Sequence, residues 1–175
     1  FRQSWLNTFL ACPEQARTTR NGTAIDVAGS KAVRGTAVHA AIETALLARM
    51  AGQELTVDTL IEAFHWSWDS LVGTIGKWNK EATTPETTIP MGETMVNVWY
   101  QEVFPYLAPV GVEQYFEFVL FEDEARRITL TGTRDLDESD LTWDWKTGQH
   151  DREYLIRRND LQSMIYTLAR AHERG

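Results

Sequence analysis

The stretch L-T-W-D-W-K-T-G-Q, residues 141–149, places a carboxylate and an ammonium two positions apart, at Asp144 and Lys146. On a strand such residues point to the same face, so we expect the two groups to lie side by side. Asp135 ends the sequence G-T-R-D shortly before. If the two segments are neighbouring strands, Asp135 comes close to Asp144. Two carboxylates so placed share a proton or bind a metal, because their repulsion raises one pKa.

The chemistry of this trio is that of a metal-assisted reaction on phosphate. Hard oxygen ligands favour Mg²⁺ or Mn²⁺ over Zn²⁺. Lys146 beside such an ion can orient or deprotonate an attacking water and meet negative charge on a phosphate. An isolated D-x-K is more often an ordinary ion pair on an exposed strand, so the rest of the chain must decide between the two explanations.

Composition narrows the class of protein. The chain has 175 residues, 43% of them hydrophobic, which fits one globular domain. Its apolar runs are too short to span a membrane and it shows no signal peptide, so we expect a cytoplasmic protein. A net charge of −8 argues against a protein that coats nucleic acid. The single cysteine, Cys12, excludes internal disulfides and multi-cysteine metal sites within these residues.

Periodicity and breakers predict an α/β or α+β order: four helices, an antiparallel three-stranded meander and a last helix. The helical part covers about 1–108 and the sheet with its helix about 111–175. The first predicted helix begins at a Ser4 cap and ends near Cys12. Further helices are predicted over 35–50, about 57–71 and 93–107, and the last one begins at an Asn159 or Asp160 cap and buries Leu161, Ile165 and Leu168. The predicted strands cover 112–121, 127–137 and 141–146.

Six motifs in one order give the chain a family resemblance. They are S-W-L-N-T-F-L-A-C-P, R-G-T-A-V-H-A-A-I-E, V-E-Q-Y-F-E, G-T-R-D-L-D, D-W-K-T-G and Q-S-M-I-Y, between residues 4 and 166. The chain thereby resembles the PD-(D/E)XK nuclease superfamily in its RecB-like branch, which includes helicase-associated nucleases, phage exonucleases and the exonucleases of CRISPR adaptation. The resemblance implies a restriction-endonuclease-like core.

Carried over residue by residue, the resemblance implies the parts of a nuclease site. Asp135 and Asp144 would be metal ligands together with the main-chain carbonyl of Trp145, and His39 would be a further ligand. Lys146 would be the catalytic lysine. The implied reaction is phosphodiester hydrolysis by metal-activated water, with the metal offsetting charge on the scissile phosphate. Taken alone, His39 on an alanine-rich helix is more often a structural histidine.

The resemblance also implies supporting residues. Gln162 and Tyr166, four apart on one helix face, would contact DNA or support the lysine, although the polar edge of an amphipathic helix would look the same. Glu113 is a further expected active-site carboxylate and Glu43 a neighbour of His39 one turn along. Arg157 and Arg158 could contact phosphates, which would explain how an acidic protein binds DNA.

Two departures from the family pattern concern the C-terminal side. In members with an iron–sulfur cluster, the cysteine at the position of Cys12 binds the cluster together with three cysteines that follow the helix carrying Q-S-M-I-Y. A cluster is therefore expected here only if further cysteines lie beyond Gly175. The superfamily core also adds a strand after that helix. We therefore expect a C-terminal segment of the core beyond Gly175.

The favoured function is a Mg²⁺- or Mn²⁺-dependent DNA exonuclease acting on DNA with a free end, in recombination, repair or phage DNA metabolism, with helicase or recombination proteins as partners. One alternative is an inactive, nuclease-like DNA-binding or scaffold module of a helicase assembly. Another is a metal hydrolase acting on a small phosphoester. Cleavage by the intact chain, and its loss on changing Lys146, separates the first from the second.

Overall fold

Helices and a small antiparallel sheet make up the fold. A computed structural model of the chain describes residues 1–21, 28–78, 84–148 and 152–174, with the side chains of 152–159 excepted. The helices are α1 (Gln3–Ala11), α2 (Pro13–Arg20), α3 (Ser30–Met50), α4 (Val57–Leu71), α5 (Pro85–Glu102) and α6 (Arg152–Arg174); the strands are β1 (Ala28–Gly29), β2 (Ile75–Lys77), β3 (Gly111–Glu122), β4 (Arg127–Asp137) and β5 (Thr142–Trp143). The predicted α+β class is confirmed.

Strands β3, β4 and β5 form the predicted antiparallel meander, in that spatial order. On β4 and β5, Leu136 lies opposite Trp143, and the next pair is Asp137 with Thr142. The prediction of a strand over 141–146 is wrong in extent, because β5 ends at Trp143. The amide of Trp145 instead donates to the Asp135 side chain. The D-W-K-T-G segment therefore leaves the ladder at its first residue.

By its internal contacts the chain divides into two compact units, each assembled from separate stretches of sequence. Unit 1 comprises Phe1–Asp26, Glu113–Arg134 and Gln149–Gly175; unit 2 comprises Val27–Val112 and Asp135–Gly148. The sequence predicts a single domain with a helical part up to about residue 108, and this stays a prediction. Within the described part of the chain, no helix is both long enough and apolar enough to cross a membrane.

Unit 2 is built on helices α3, α4 and α5. Small residues on α3, such as Ala37 and Ala41, are fully buried and let the neighbouring helices approach. Aromatic side chains fill the space around them, among them Phe64 and Trp68, and Leu136 of β4 belongs to the same core. Helix α4 has the predicted bounds, and its Thr56 cap accepts a hydrogen bond from the Thr59 amide.

Two helices of unit 2 begin earlier than predicted. Helix α3 starts at Ser30 and not at Gly35. Helix α5 starts at Pro85 and not at residue 93, because Thr84 and Thr87 form a capping box and Pro85 takes the first helical position, where its missing N–H costs nothing. The interior Pro90, which makes the sequence look like a loop, is tolerated within α5.

In unit 1, helix α6 packs on the residues of β3 and β4 that belong to this unit, which lie within Glu113–Arg134. Its core consists of Phe116, Phe118, Leu130, Ile165, Tyr166 and Ala169. The predicted end of α1 before Cys12 is confirmed, but its N-cap is Arg2 and not Ser4. Helix α6 begins at Arg152, several residues before the predicted Asn159 or Asp160 cap. Leu168, expected inside, is 46% exposed, because the buried stripe runs through Ile165 and Ala169.

Candidate metal and catalytic site

Three residues from separate segments of unit 2 bring electron-rich atoms together. His39, on α3, has Nε2 3.1 Å from the carbonyl oxygen of Trp145. Its other ring nitrogen, Nδ1, lies 3.6 Å from Oδ2 of Asp135, near the end of β4. The same Oδ2 accepts a hydrogen bond of 2.7 Å from the Trp145 amide. The structure thus brings together three of the residues that the sequence predicts as metal ligands.

The contact between His39 and Trp145 selects one form of the imidazole. A carbonyl oxygen can only accept a hydrogen bond, so in neutral His39 the proton must sit on Nε2. Nδ1 then carries a lone pair that faces a carboxylate oxygen of Asp135 at 3.6 Å. Two electron-rich atoms in this position are stabilised only by a cation or a proton between them.

Asp144 and Lys146 form the other part of the site. The Lys146 ammonium and the Asp144 carboxylate are in direct contact as an ion pair. The predicted proximity is therefore present, although the residues lie beyond the end of β5 and not on a strand. The side chains are 21% and 33% exposed for Asp144 and Lys146, which leaves both within reach of a substrate.

The electrostatics of Asp135 are those of a buried carboxylate. Burial raises the pKa of Asp135, and the negative charge of Asp144 adds to that rise. The Trp145 amide, His39 and Lys146 act in the opposite direction without cancelling it. A largely buried carboxyl group whose pKa is raised beside a second carboxylate is typical of a functional site, since a bound cation would relieve the cost of its charge.

The donor atoms suit a hard divalent ion. A carboxylate oxygen of Asp135 and the free nitrogen of His39 face each other, and the charge of Asp144 is close enough to raise the pKa of Asp135. Carboxylates with one imidazole fit Mg²⁺ or Mn²⁺. A metal-binding histidine commonly donates its second N–H to a backbone carbonyl, as His39 does to Trp145. The predicted direct ligation by the Trp145 carbonyl stays a prediction.

The tryptophans of the motif anchor it in the core of unit 2. The rings of Trp143 and Trp145 stack with their centroids 5.7 Å apart, and Trp145 meets Trp99 edge to face at 5.8 Å. Both pack against the main hydrophobic cluster. The indole rings therefore hold the segment that carries Asp144 and Lys146 against the core.

Arg34 and Gly35, in the second turn of α3, contact this segment, and no contact with it was predicted for them. A methyl group at Gly35 would lie 2.8 Å from Oγ1 of Thr147, so α3 approaches the D-W-K-T-G segment closely here. The preceding Arg34 is 1% exposed and donates to the Thr147 carbonyl at 3.5 Å. The only sequence signal is the R-G pair itself, because burial of an arginine cannot be read from a pattern.

Gln162 and Tyr166 interact with each other within unit 1. The amide of Gln162 donates to the Tyr166 hydroxyl at 2.6 Å, and that hydroxyl donates to the Thr133 carbonyl at 2.9 Å. Tyr166 is buried at 7% exposure, edge to face with Phe116. These contacts support β4 two residues before Asp135. Contact of either residue with DNA stays a prediction.

The remaining predicted residues are placed as follows. Glu113 is an exposed residue of β3 with φ 48°, a conformation that costs energy without glycine and recurs at functional positions. Glu43 is half-buried on α3, one turn beyond His39. The side chains of Arg157 and Arg158 lie outside the described residues. Cys12 is an exposed free thiol. The functional roles of these residues stay predictions.

Comparison with known proteins indicates the family of the chain. A search of curated proteins and one of solved structures found no significant match to the chain. A family model of the PD-(D/E)XK nuclease superfamily, whose members are generally metal-dependent nucleases, matches residues 2–175. The match covers all the residues of the site described above. The chain belongs to the PD-(D/E)XK nuclease superfamily.

Proposed function

We propose that this protein is a divalent-metal-dependent DNA exonuclease of the RecB-like branch, using Mg²⁺ or Mn²⁺. The observation that carries the proposal is the 3.6 Å approach of His39 Nδ1 to Asp135 Oδ2, with the other nitrogen of His39 held by the Trp145 carbonyl. A divalent cation between these two atoms would stabilise both of them. Asp135, His39 and Asp144 would hold it.

The expected chemistry is hydrolysis of a phosphodiester bond. A divalent ion bound at these residues would supply a Lewis acid that offsets charge on the scissile phosphate and lowers the pKa of water. Asp144 holds the Lys146 ammonium at the edge of the site. From there Lys146 would orient the attacking water and meet the negative charge that grows on the phosphate oxygens as the bond to the leaving oxygen breaks.

The choice of an exonuclease over a site-specific endonuclease is part of the proposal. It is supported by the order of the six motifs, which resembles an end-processing branch of the superfamily. No stretch of the sequence resembles a base-reading module, on which specific endonucleases depend. The setting proposed for the activity is recombination, repair or phage DNA metabolism, together with helicase or recombination proteins.

The test compares linear and covalently closed circular DNA of the same sequence, each with Mg²⁺, with Mn²⁺ and with chelator. We expect metal-dependent loss of the linear form only. Lys146→Ala and Asp144→Asn should abolish cleavage, and Lys77→Ala, a change at an exposed lysine of unit 2, should leave it intact. Cleavage that survives Lys146→Ala would refute the site, and rapid nicking of circles would refute the exonuclease.

A further inference from the structure

Arg34 is a buried cation with few partners. It lies on α3 directly before Gly35 and is 1% exposed. Its guanidinium donates to the Met91 sulfur at 3.4 Å and to the Thr147 carbonyl at 3.5 Å. Its Nε has no hydrogen-bond partner, and no carboxylate of the described ranges lies within ion-pair distance of it. Among the described residues, the polar partners of the Arg34 guanidinium are therefore one carbonyl and one thioether.

Stability does not account for such a residue. Removing a guanidinium from water without a carboxylate partner is costly, and burial lowers the pKa of Arg34 accordingly. A methionine would fill a similar space among the apolar neighbours without a charge to desolvate. An arginine at this position therefore needs a reason other than packing.

The contact with Thr147 supplies a candidate reason. Residues 144–147 are in neither helix nor strand, so the sheet ladder does not position them. Before Lys146, the amide of Trp145 is held by Asp135 at 2.7 Å. After Lys146, the carbonyl of Thr147 is held by Arg34. The backbone of Lys146 is thereby fixed on both sides.

Close approach of α3 makes the second contact feasible. The space beside Gly35 is occupied by Thr147, whose Oγ1 would lie 2.8 Å from an added methyl group. Glycine at 35 therefore lets Thr147 pack directly against the helix, where the guanidinium of Arg34 reaches its carbonyl. The same helix carries His39, so one rigid element sets the position of both sides of the site.

We propose that Arg34 is a positioning residue for Lys146, which acts by holding the Thr147 carbonyl and so fixing the segment from which the lysine projects. This role rests on the nuclease function proposed above. It assigns to Arg34 no contact with DNA or metal.

The test uses Arg34→Met, Arg34→Lys and, as a matched control, Arg49→Met. Arg49 also holds backbone carbonyls, those of Phe104 and Leu107, and it lies in the same unit. For Arg34→Met we expect an unchanged or higher unfolding temperature, an unchanged KM for linear DNA, and a kcat lower by about tenfold or more, since small displacements of a catalytic group cost this much. Arg34→Lys, which keeps a donor, should recover part of the kcat. Arg49→Met should lower the unfolding temperature and keep the kcat.

A second readout needs neither metal nor activity. The chain has four lysines, so reductive ¹³C-methylation gives few NMR signals, and Lys146→Ala identifies the one from Lys146. In metal-free protein the Lys146 signal should shift in Arg34→Met, and those of Lys31 and Lys77 should not. An unshifted Lys146 signal, or an activity loss that follows a lower unfolding temperature and that Arg34→Lys does not relieve, would overturn the proposal. If the unaltered protein fails to cleave DNA, the proposed nuclease function fails, but the NMR comparison still tests Arg34.

Discussion

The carboxylate of Asp135 accepts a hydrogen bond of 2.7 Å from the backbone amide of Trp145. This bond ties the end of β4 to the segment that carries Asp144 and Lys146. It takes the place of a ladder hydrogen bond that a longer β5 would have made. The same carboxylate therefore has two roles: its hydrogen bond to Trp145 ends the strand pairing, and its Oδ2 lies 3.6 Å from Nδ1 of His39.

Changing Asp135 to Asn should stabilise the metal-free protein at neutral pH. The pKa of Asp135 is raised by burial, so the folded state holds its proton more tightly than the unfolded state. The stability linked to that proton is fully present below the unfolded pKa of about 4 and is lost as pH rises through the folded value. The variant does not titrate at this position. Its advantage in unfolding free energy should therefore be small in acid and should grow with pH to a plateau.

Denaturant unfolding in chelator from acid to neutral pH measures this advantage. Asp69→Asn, at an exposed position of α4, serves as the control and should track the unaltered protein. With Mn²⁺ present the order should reverse, because only the carboxylate gains from the ion. An advantage of Asp135→Asn that shrinks toward neutral pH would contradict the assigned cause.

Replacing His39 by Gln should weaken Mn²⁺ binding without unfolding unit 2. His39 is only partly buried and packs at the edge of the site. Since changes to groups that merely orient a metal ligand cost about 10–100-fold in affinity, loss of the ligand itself should cost at least as much. Titration calorimetry in the absence of DNA gives the affinity. His65→Gln removes an imidazole that contacts Glu93 at 2.7 Å on other helices of the unit, and this variant should bind Mn²⁺ normally.

Alanine at position 35 should impair cleavage more than folding. Alanine favours the middle of a helix by about 1 kcal/mol over glycine, which offsets part of the strain from its contact with Thr147. The side chain of Thr147 must nevertheless leave its place against α3, which loosens the segment that positions Lys146. We expect the kcat on linear DNA to fall while the unfolding temperature changes little. Gly73→Ala meets no atom within 4 Å and should leave the kcat unchanged; equal effects at both positions would contradict the role of the close approach.

Removing the hydroxyl of Tyr166 should lower the free energy of unfolding, because that hydroxyl holds β4 through the Thr133 carbonyl. In Tyr166→Phe the Thr133 carbonyl and the Gln162 amide both lose a partner. A lost hydrogen bond of this kind costs about 1 kcal/mol or somewhat more where a buried group is left unpaired. Equilibrium unfolding should detect this, and Tyr115→Phe, at an exposed position of β3, should show a smaller change. If Tyr166→Phe weakens DNA binding at unchanged stability, the residue contacts DNA instead.

Much of the site could be predicted because its members have local signatures. The spacing of Asp144 and Lys146 predicted that the two side chains lie together, as they do, although the strand assumed for both ends at Trp143. The bounds of α4 and β4 followed from periodicity. In each case the side chains that decide the structure lie close together in the sequence.

Two features could not be predicted because they depend on contacts between residues far apart in the sequence. β5 stops early because the Trp145 amide is taken by Asp135, ten residues away in the sequence. Arg34 was missed because its role depends on Thr147, which lies 113 residues away. No single-sequence rule weighs pairs this far apart. The start of helix α5 is a different, local error: Pro90 favours a loop, whereas the capping box of Thr84 and Thr87 starts the helix at Pro85.

Trp145, the middle residue of D-W-K, is constrained in one way through its backbone and in another through its side chain. Trp145 meets the site with its backbone alone, through its amide to Asp135 and its carbonyl to His39, and any amino acid except proline offers both groups. Its indole instead stacks on Trp143 and meets Trp99 in the core. The chemistry therefore places almost no restriction on the identity of this residue, and the packing of unit 2 restricts it strongly. In relatives of this protein, position 145 should covary with positions 99 and 143 and vary independently of Asp135 and His39.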